Sequence, residues 1–111
     1  MHGSGLNAWL VQRVTAVYLA LFLIALPFVV ASMPALDFEH WRALLARPVF
    51  NVSVGLFYVA LLSHAWVGGR DVAIDYVPNL PLRLVVLSAL AFALIGSFVW
   101  VVATLVPVMA L

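Results

Sequence analysis

His64 stands in the middle of a long uncharged stretch, and it is the only residue there that ionises near neutral pH. A group of that kind in membrane hydrocarbon is expensive and marks function by default. A neutral imidazole suits two tasks: a hydrogen bond to a neighbouring helix, or ligation of a haem iron as an axial ligand. In a helix, Ala60 and Gly68 lie four residues to either side on the same face. Small residues there leave a flat slot where a porphyrin could lie. The same pattern serves close helix packing, so spacing alone leaves both readings open. Two histidines would make the haem six-coordinate. His2 lies in the tail and His40 on the opposite side of the membrane, so the second ligand would come from another chain.

Three further residues could act near His64. Arg13 opens the first apolar stretch on the side toward which His64 lies, where it could meet haem propionates or simply snorkel to the interface. Asp75 and Tyr76 follow the stretch that holds His64, and they read as part of a short loop. A phenol hydroxyl can donate to a carbonyl oxygen, and a neighbouring carboxylate can orient that donor or pass a proton. A quinone head group needs such a pair at a membrane edge, while an interfacial Tyr beside a capping Asp is the plainer alternative. Trp9, Trp41, Trp66 and Trp100 read as interfacial anchors.

These residues need a scaffold, and composition dictates its kind. Of 111 residues, 68% are hydrophobic and 8% are charged, against about a quarter charged in a soluble domain. Lipid must therefore be the solvent for most of the chain. A hydrocarbon core of about 30 Å takes roughly 20 apolar helical residues, and three stretches qualify: about 14–33, 49–69 and 84–106. The fold class is all-α integral membrane, a single anchor domain over residues 1–111. Pro27 is placed to kink the first span, and Pro107 marks the end of the third. Between the first two spans, Asp37 can cap a short helix. Phe38, Trp41, Leu44 and Leu45 share one face of it, opposite Glu39, His40 and Arg42, as in an amphipathic helix lying in the membrane interface. Asn79 and Pro81 suit the cap and first turn of the third span.

Arg13, Arg70 and Arg83 fall on one side of the membrane, and Arg42 and Arg47 on the other. With the α-amino group, that bias places the N-terminus in the cytoplasm. Met1 to Asn7 carries no basic n-region or cleavage site, which points to a bacterial inner membrane. The formal net charge of +1 gives no basic patch for nucleic acid. No cysteine is present, which excludes Cys-held zinc and iron–sulfur clusters in this chain. No Gly-rich phosphate loop or flavin site is visible, so electrons for a quinone would come from a partner.

His64-Ala65-Trp66-Val67-Gly68, then Asp75-Tyr76 after six residues, resembles the small hydrophobic membrane anchor of bacterial succinate dehydrogenase, the D-type subunit of respiratory complex II. Gln12-Arg13-Val14-Thr15-Ala16 is similar to the Arg-x-Thr-Ala that opens that family's first helix, and Leu82-Arg83-Leu84 to the start of its third. Asn7 stands where one relative has a histidine. The resemblance implies a subunit of a heteromeric helix bundle in a succinate:quinone oxidoreductase of the tricarboxylic acid cycle and respiratory chain. His64 would give one axial ligand to a haem b shared with a C-type cytochrome b anchor subunit, with Arg13 at the propionates. Tyr76 and Asp75 would bind quinone, and a flavoprotein and an iron–sulfur subunit would dock on the cytoplasmic face. On this reading the chain carries out no substrate chemistry alone. The rival expectations are the haem-binding anchor of a fumarate reductase or another quinone oxidoreductase, and a non-redox structural membrane protein.

Overall fold

A computed structural model describes residues 4–109. It contains α1 (Ser4–Ala31), α2 (Phe38–Ala46), α3 (Pro48–Tyr76) and α4 (Leu80–Leu105), with no strand among the described residues. Three of the four helices are long and apolar enough to cross a membrane. Helix is the expected answer for such a chain, because hydrocarbon offers no partner to an unpaired backbone N–H or C=O.

Most helix ends have a local cause. At Ser32, where α1 gives way to a turn, the backbone N–H donates to Phe28 O and Val29 O, and Pro34 follows. The N-cap of α2 is Asp37: its Oδ1 accepts from His40 N at 2.8 Å and from His40 Nδ1 at 2.6 Å. Those two hydrogen bonds, the backbone one foremost, hold the Asp37 carboxyl below its ordinary value. Arg47, before Pro48, is extended (φ −68°, ψ 124°) and separates α2 from α3, as the residue before a proline prefers. Val77 before Pro78 leaves the helical region in the same way and stops α3. Asn79 Oδ1 then accepts from Leu82 N at 3.0 Å and starts α4.

Two helices outrun the apolar stretches that define the spans. α1 begins ten residues before Val14, and α3 continues seven residues beyond Gly69. Asp75 and Tyr76 therefore occupy the last turn of a helix, not a loop, and only three residues separate α3 from α4. Hydropathy falls at Arg70 and Asp71, but nothing there interrupts the hydrogen-bond ladder until Pro78. α1 likewise continues through Pro27.

α3 is the central element. α1 packs on one of its sides and α4 on another, and α2 packs against it near its start. Asn51, 5% exposed, ties three elements together: its Nδ2 donates to Leu45 O at 2.8 Å and to Leu105 O at 2.9 Å. Both acceptors lie in the last turn of a helix, where carbonyls lack intrahelical donors. In α2, Trp41, Leu44 and Leu45 are half-buried and Phe38 is 75% exposed. His40 does not keep to the polar face. It bends back to Asp37 and lines a small hollow with Met33, Ala43 and Leu44.

The molecule measures 52 × 24 × 23 Å and exposes 7836 Å². A compact soluble monomer of 12.1 kDa exposes about 6,000 Å². Among the described residues no large side chain is fully buried, and Phe28, Phe92 and Trp100 are each at least 74% exposed. Surfaces of this kind are meant for lipid or for other helices, not for water.

Candidate functional site

The antiparallel seam of α1 and α3 brings together Gln12, Thr15, Tyr18 and His64. Its register is fixed by pairs along its length. Phe22 stacks on Phe57 with ring centroids 4.5 Å apart. Tyr18 Oη donates to Ser53 O at 2.8 Å. Nearer the N-terminal side, Thr15 meets His64 and Gln12 meets Gly68.

His64 is half-buried, with Nδ1 3.1 Å from Thr15 Oγ1. The same Thr15 oxygen lies 2.5 Å from Val11 O and 3.3 Å from Gln12 O. No partner for Nε2 occurs among the described hydrogen bonds. The small residues around the imidazole do not leave open space on every side. Ala60 is 9% exposed, and the position of a Cβ on Gly68 lies 3.5 Å from Gln12 Nε2. Gly68 thus admits α1 at close range, and Gln12 fills the place beside it. Gln12 Oε1 is buried without a partner.

Arg13 is exposed and directs its guanidinium over the Trp9 ring, 5.3 Å from the centroid, within the range of a cation–π contact. Asp75 and Tyr76 are exposed at the end of α3, Tyr76 at 79%, and neither has a hydrogen-bond partner among the described residues. Twelve residues of one helix separate Tyr76 from His64, about 18 Å at 1.5 Å per residue. One rigid element therefore carries both, at different depths. Arg70 reaches Asp71 at 3.5 Å, while its Nε is buried and unpaired. His2 lies outside the described residues.

Can these groups serve a haem? A porphyrin supplies four of the six iron ligands, so this chain need give only one nitrogen. His64 has one ring nitrogen held by a hydroxyl and one left over, which is the arrangement metal-bound histidines use. No cluster of three or more His, Cys, Asp or Glu exists among the described residues, and a haem requires none. The residues fit a haem and not a bare metal ion.

Thr15, Gln12, Tyr18 and Asn51 have roles that residue spacing did not reveal. Thr15 and Gln12 belong to a recognisable run, Gln12 to Ala16. Their partners lie about 50 residues away, and only the register of two helices brings them together. Trp66 lines a groove of about 590 Å³ with Val59, Leu62, Leu94 and Phe98.

Fold and site define a multi-pass membrane protein of three spans with an imidazole held between two of them. The chain belongs to the succinate dehydrogenase/fumarate reductase transmembrane subunit family, whose model matches residues 1–108. It is also similar to the succinate dehydrogenase hydrophobic membrane anchor subunit of Coxiella burnetii (strain RSA 493 / Nine Mile phase I). That relative is 29% identical over 99 residues, covering 88% of this chain and 85% of the relative. The protein is a membrane anchor of the succinate dehydrogenase/fumarate reductase type.

Proposed function

We propose that this chain anchors a succinate:quinone oxidoreductase in the bacterial inner membrane, with its N-terminus in the cytoplasm. The observation that carries the proposal is His64, the only imidazole within the membrane-crossing helices, with one ring nitrogen engaged by Thr15. In this reading His64 would hold a haem b through Nε2, and a C-type cytochrome b anchor subunit would supply the second ligand. The haem supplies a one-electron carrier within the membrane. Arg13 lies in the turn of α1 that precedes Thr15, where a guanidinium can neutralise a propionate. To do so it would leave the Trp9 ring.

Tyr76 offers its phenol hydroxyl to a quinone carbonyl, and Asp75 orients that donor or passes a proton. Their exposure and lack of intrachain partners support this, because a donor already satisfied would have to break a bond to serve a ligand. A flavoprotein and an iron–sulfur subunit dock on the cytoplasmic face and deliver electrons from succinate. The relative is named for succinate dehydrogenase, which favours succinate oxidation over fumarate reduction.

The test is an optical spectrum of the complex purified through a tag on this chain, with its subunits identified by mass. The expected result is four different subunits and a low-spin b-type haem that reduces with succinate. A complex that lacks haem, or this chain purified without redox partners, would overturn the reading.

A further inference from the structure

Thr15 Oγ1 carries one proton. A helical threonine hydroxyl commonly donates to the carbonyl four residues earlier, and Val11 O lies 2.5 Å from it. That carbonyl can only accept, as can Gln12 O at 3.3 Å, so the single proton is spent within α1. Toward α3 the oxygen presents lone pairs. The 3.1 Å contact with His64 Nδ1 is then a hydrogen bond only if Nδ1 carries a proton. A neutral imidazole has one N–H, and a metal-binding imidazole is neutral. The proton on Nδ1 therefore leaves the lone pair on Nε2.

From this geometry we infer that Thr15 is a positioning residue for His64: its hydroxyl holds the ring in the Nδ1–H form and tunes how strongly Nε2 donates to a haem iron. The inference rests on the reading of His64 as haem ligand. An acceptor on Nδ1–H raises the basicity of the ligating nitrogen. A more basic ligand favours ferric iron. A hydroxyl is uncharged, so it polarises the ring less than a carboxylate would, and it costs little to bury beside hydrocarbon. The hydroxyl also fixes the ring plane, because its own attachment at Thr15 and the Val11 O it donates to both belong to α1.

The experiment compares the whole complex carrying Thr15→Val or Thr15→Ser with wild type. Thr15→Val keeps shape and β-branching but removes the acceptor. The readouts are the haem midpoint potential, titrated in membranes, and the electron paramagnetic resonance of the oxidised low-spin haem. At a fixed potential Thr15→Val is expected to raise the ratio of reduced to oxidised haem about threefold to tenfold, where tenfold for one electron is 59 mV. Its resonance should also broaden or shift as the ring loses its fixed orientation. Thr15→Ser should restore both readouts. If Thr15→Val does not assemble, Thr15→Ala removes the same acceptor and carries the same expectation. Wild-type potential and resonance in the hydroxyl-less variant would overturn the inference, as would Thr15→Ser behaving like Thr15→Val. Separate controls tell the two failures apart. No haem in wild type, or an unchanged haem in His64→Ala, overturns the haem reading itself. Loss of the haem signal in His64→Ala, with Thr15→Val like wild type, overturns Thr15 alone.

Discussion

The two faces of α3 are built from different materials. The seam with α1 carries hydroxyl, amide, imidazole and phenol groups, paired across the helices at Thr15–His64 and Tyr18–Ser53 and packed by Phe22 on Phe57. The seam with α4 closes on small residues: Gly69 lies under Leu90, and Gly55 under Leu105. Among the described residues, its side-chain hydrogen bond across the helices is that of Asn51, at the far end. In hydrocarbon, a polar pair inside a seam must be satisfied there or it costs several kcal/mol, and such groups sit where they have a task. A seam of Gly and Leu gains close packing and little else. One helix thus has a polar face toward α1 and an apolar face toward α4, and if the polar face serves the proposed haem, substitutions should separate the two.

The largest separation is expected from His64→Ala. It should remove the low-spin haem from the purified complex entirely. The α3–α4 seam should be untouched, so the amount of this chain in the membrane should fall far less than the haem. An intact haem spectrum would show that the polar seam is structural only.

Asn51→Leu is the converse. It leaves the carbonyls of Leu45 and Leu105 without their side-chain donor, at about 1–3 kcal/mol for a buried unsatisfied group. A lower midpoint of thermal inactivation, with an unchanged haem spectrum in the surviving complex, is the expected pattern. A spectral change would mean that the two faces are coupled.

Tyr76→Phe removes one hydroxyl beyond both seams. A hydrogen bond of about 0.5–1.5 kcal/mol corresponds to roughly a tenfold loss at most. That loss should appear in quinone reduction by succinate, while reduction of a dye that accepts electrons upstream is retained. Wild-type quinone rates would return Tyr76 to the role of an interfacial anchor.

Gly69→Ala sharpens the account of the apolar seam. Its Cβ would come 2.7 Å from Leu90 Cδ2, the mobile tip of a side chain that can swing aside. The expected cost is about 1 kcal/mol, the low end for overpacking, and Gly69→Ala combined with Leu90→Val should recover stability.

The smallest effect belongs to α2, outside both seams. The folded-state pKa of Asp37 is depressed below 3.8. Its capping contribution is therefore complete above about that pH and is lost as pH falls through the lower folded value. Asp37→Asn keeps an acceptor for His40 N, so it should flatten this acid dependence while leaving α2 formed at neutral pH, as circular dichroism of the complex can report.

Hydropathy and punctuation made much of this fold readable. The three spans, the α2 segment and the caps Asp37 and Asn79 follow from residue type, because each depends on the solvent or on a partner three residues away. Helix ends read less well. Hydropathy marks where lipid stops, whereas a helix stops where its hydrogen-bond ladder is broken, and for α3 those points differ by seven residues. His64, Asp75 and Tyr76 stand out by type and spacing. The hydroxyl that holds His64 does not, since Thr15 is 49 residues away and only helix register pairs them. Asn51 is hidden for the same reason, with one of its acceptors 54 residues distant.

The length of α3 has a consequence for whatever meets its C-terminal end. At 29 residues it is about 43 Å long, well beyond a core of about 30 Å. If its apolar stretch to Gly69 fills that core, its last turns form a rod that emerges from the bilayer. Tyr76 therefore rides on a stiff shaft with its backbone already ordered. A ligand or subunit that engages the phenol has only side-chain freedom to quench, not that of a loop, and the ordering penalty that usually weakens binding is largely absent at this position. Because α3 runs unbroken from Asn51 to Tyr76, its base is fastened to α2 and α4 while its tip is presented at the opposite end of the helix.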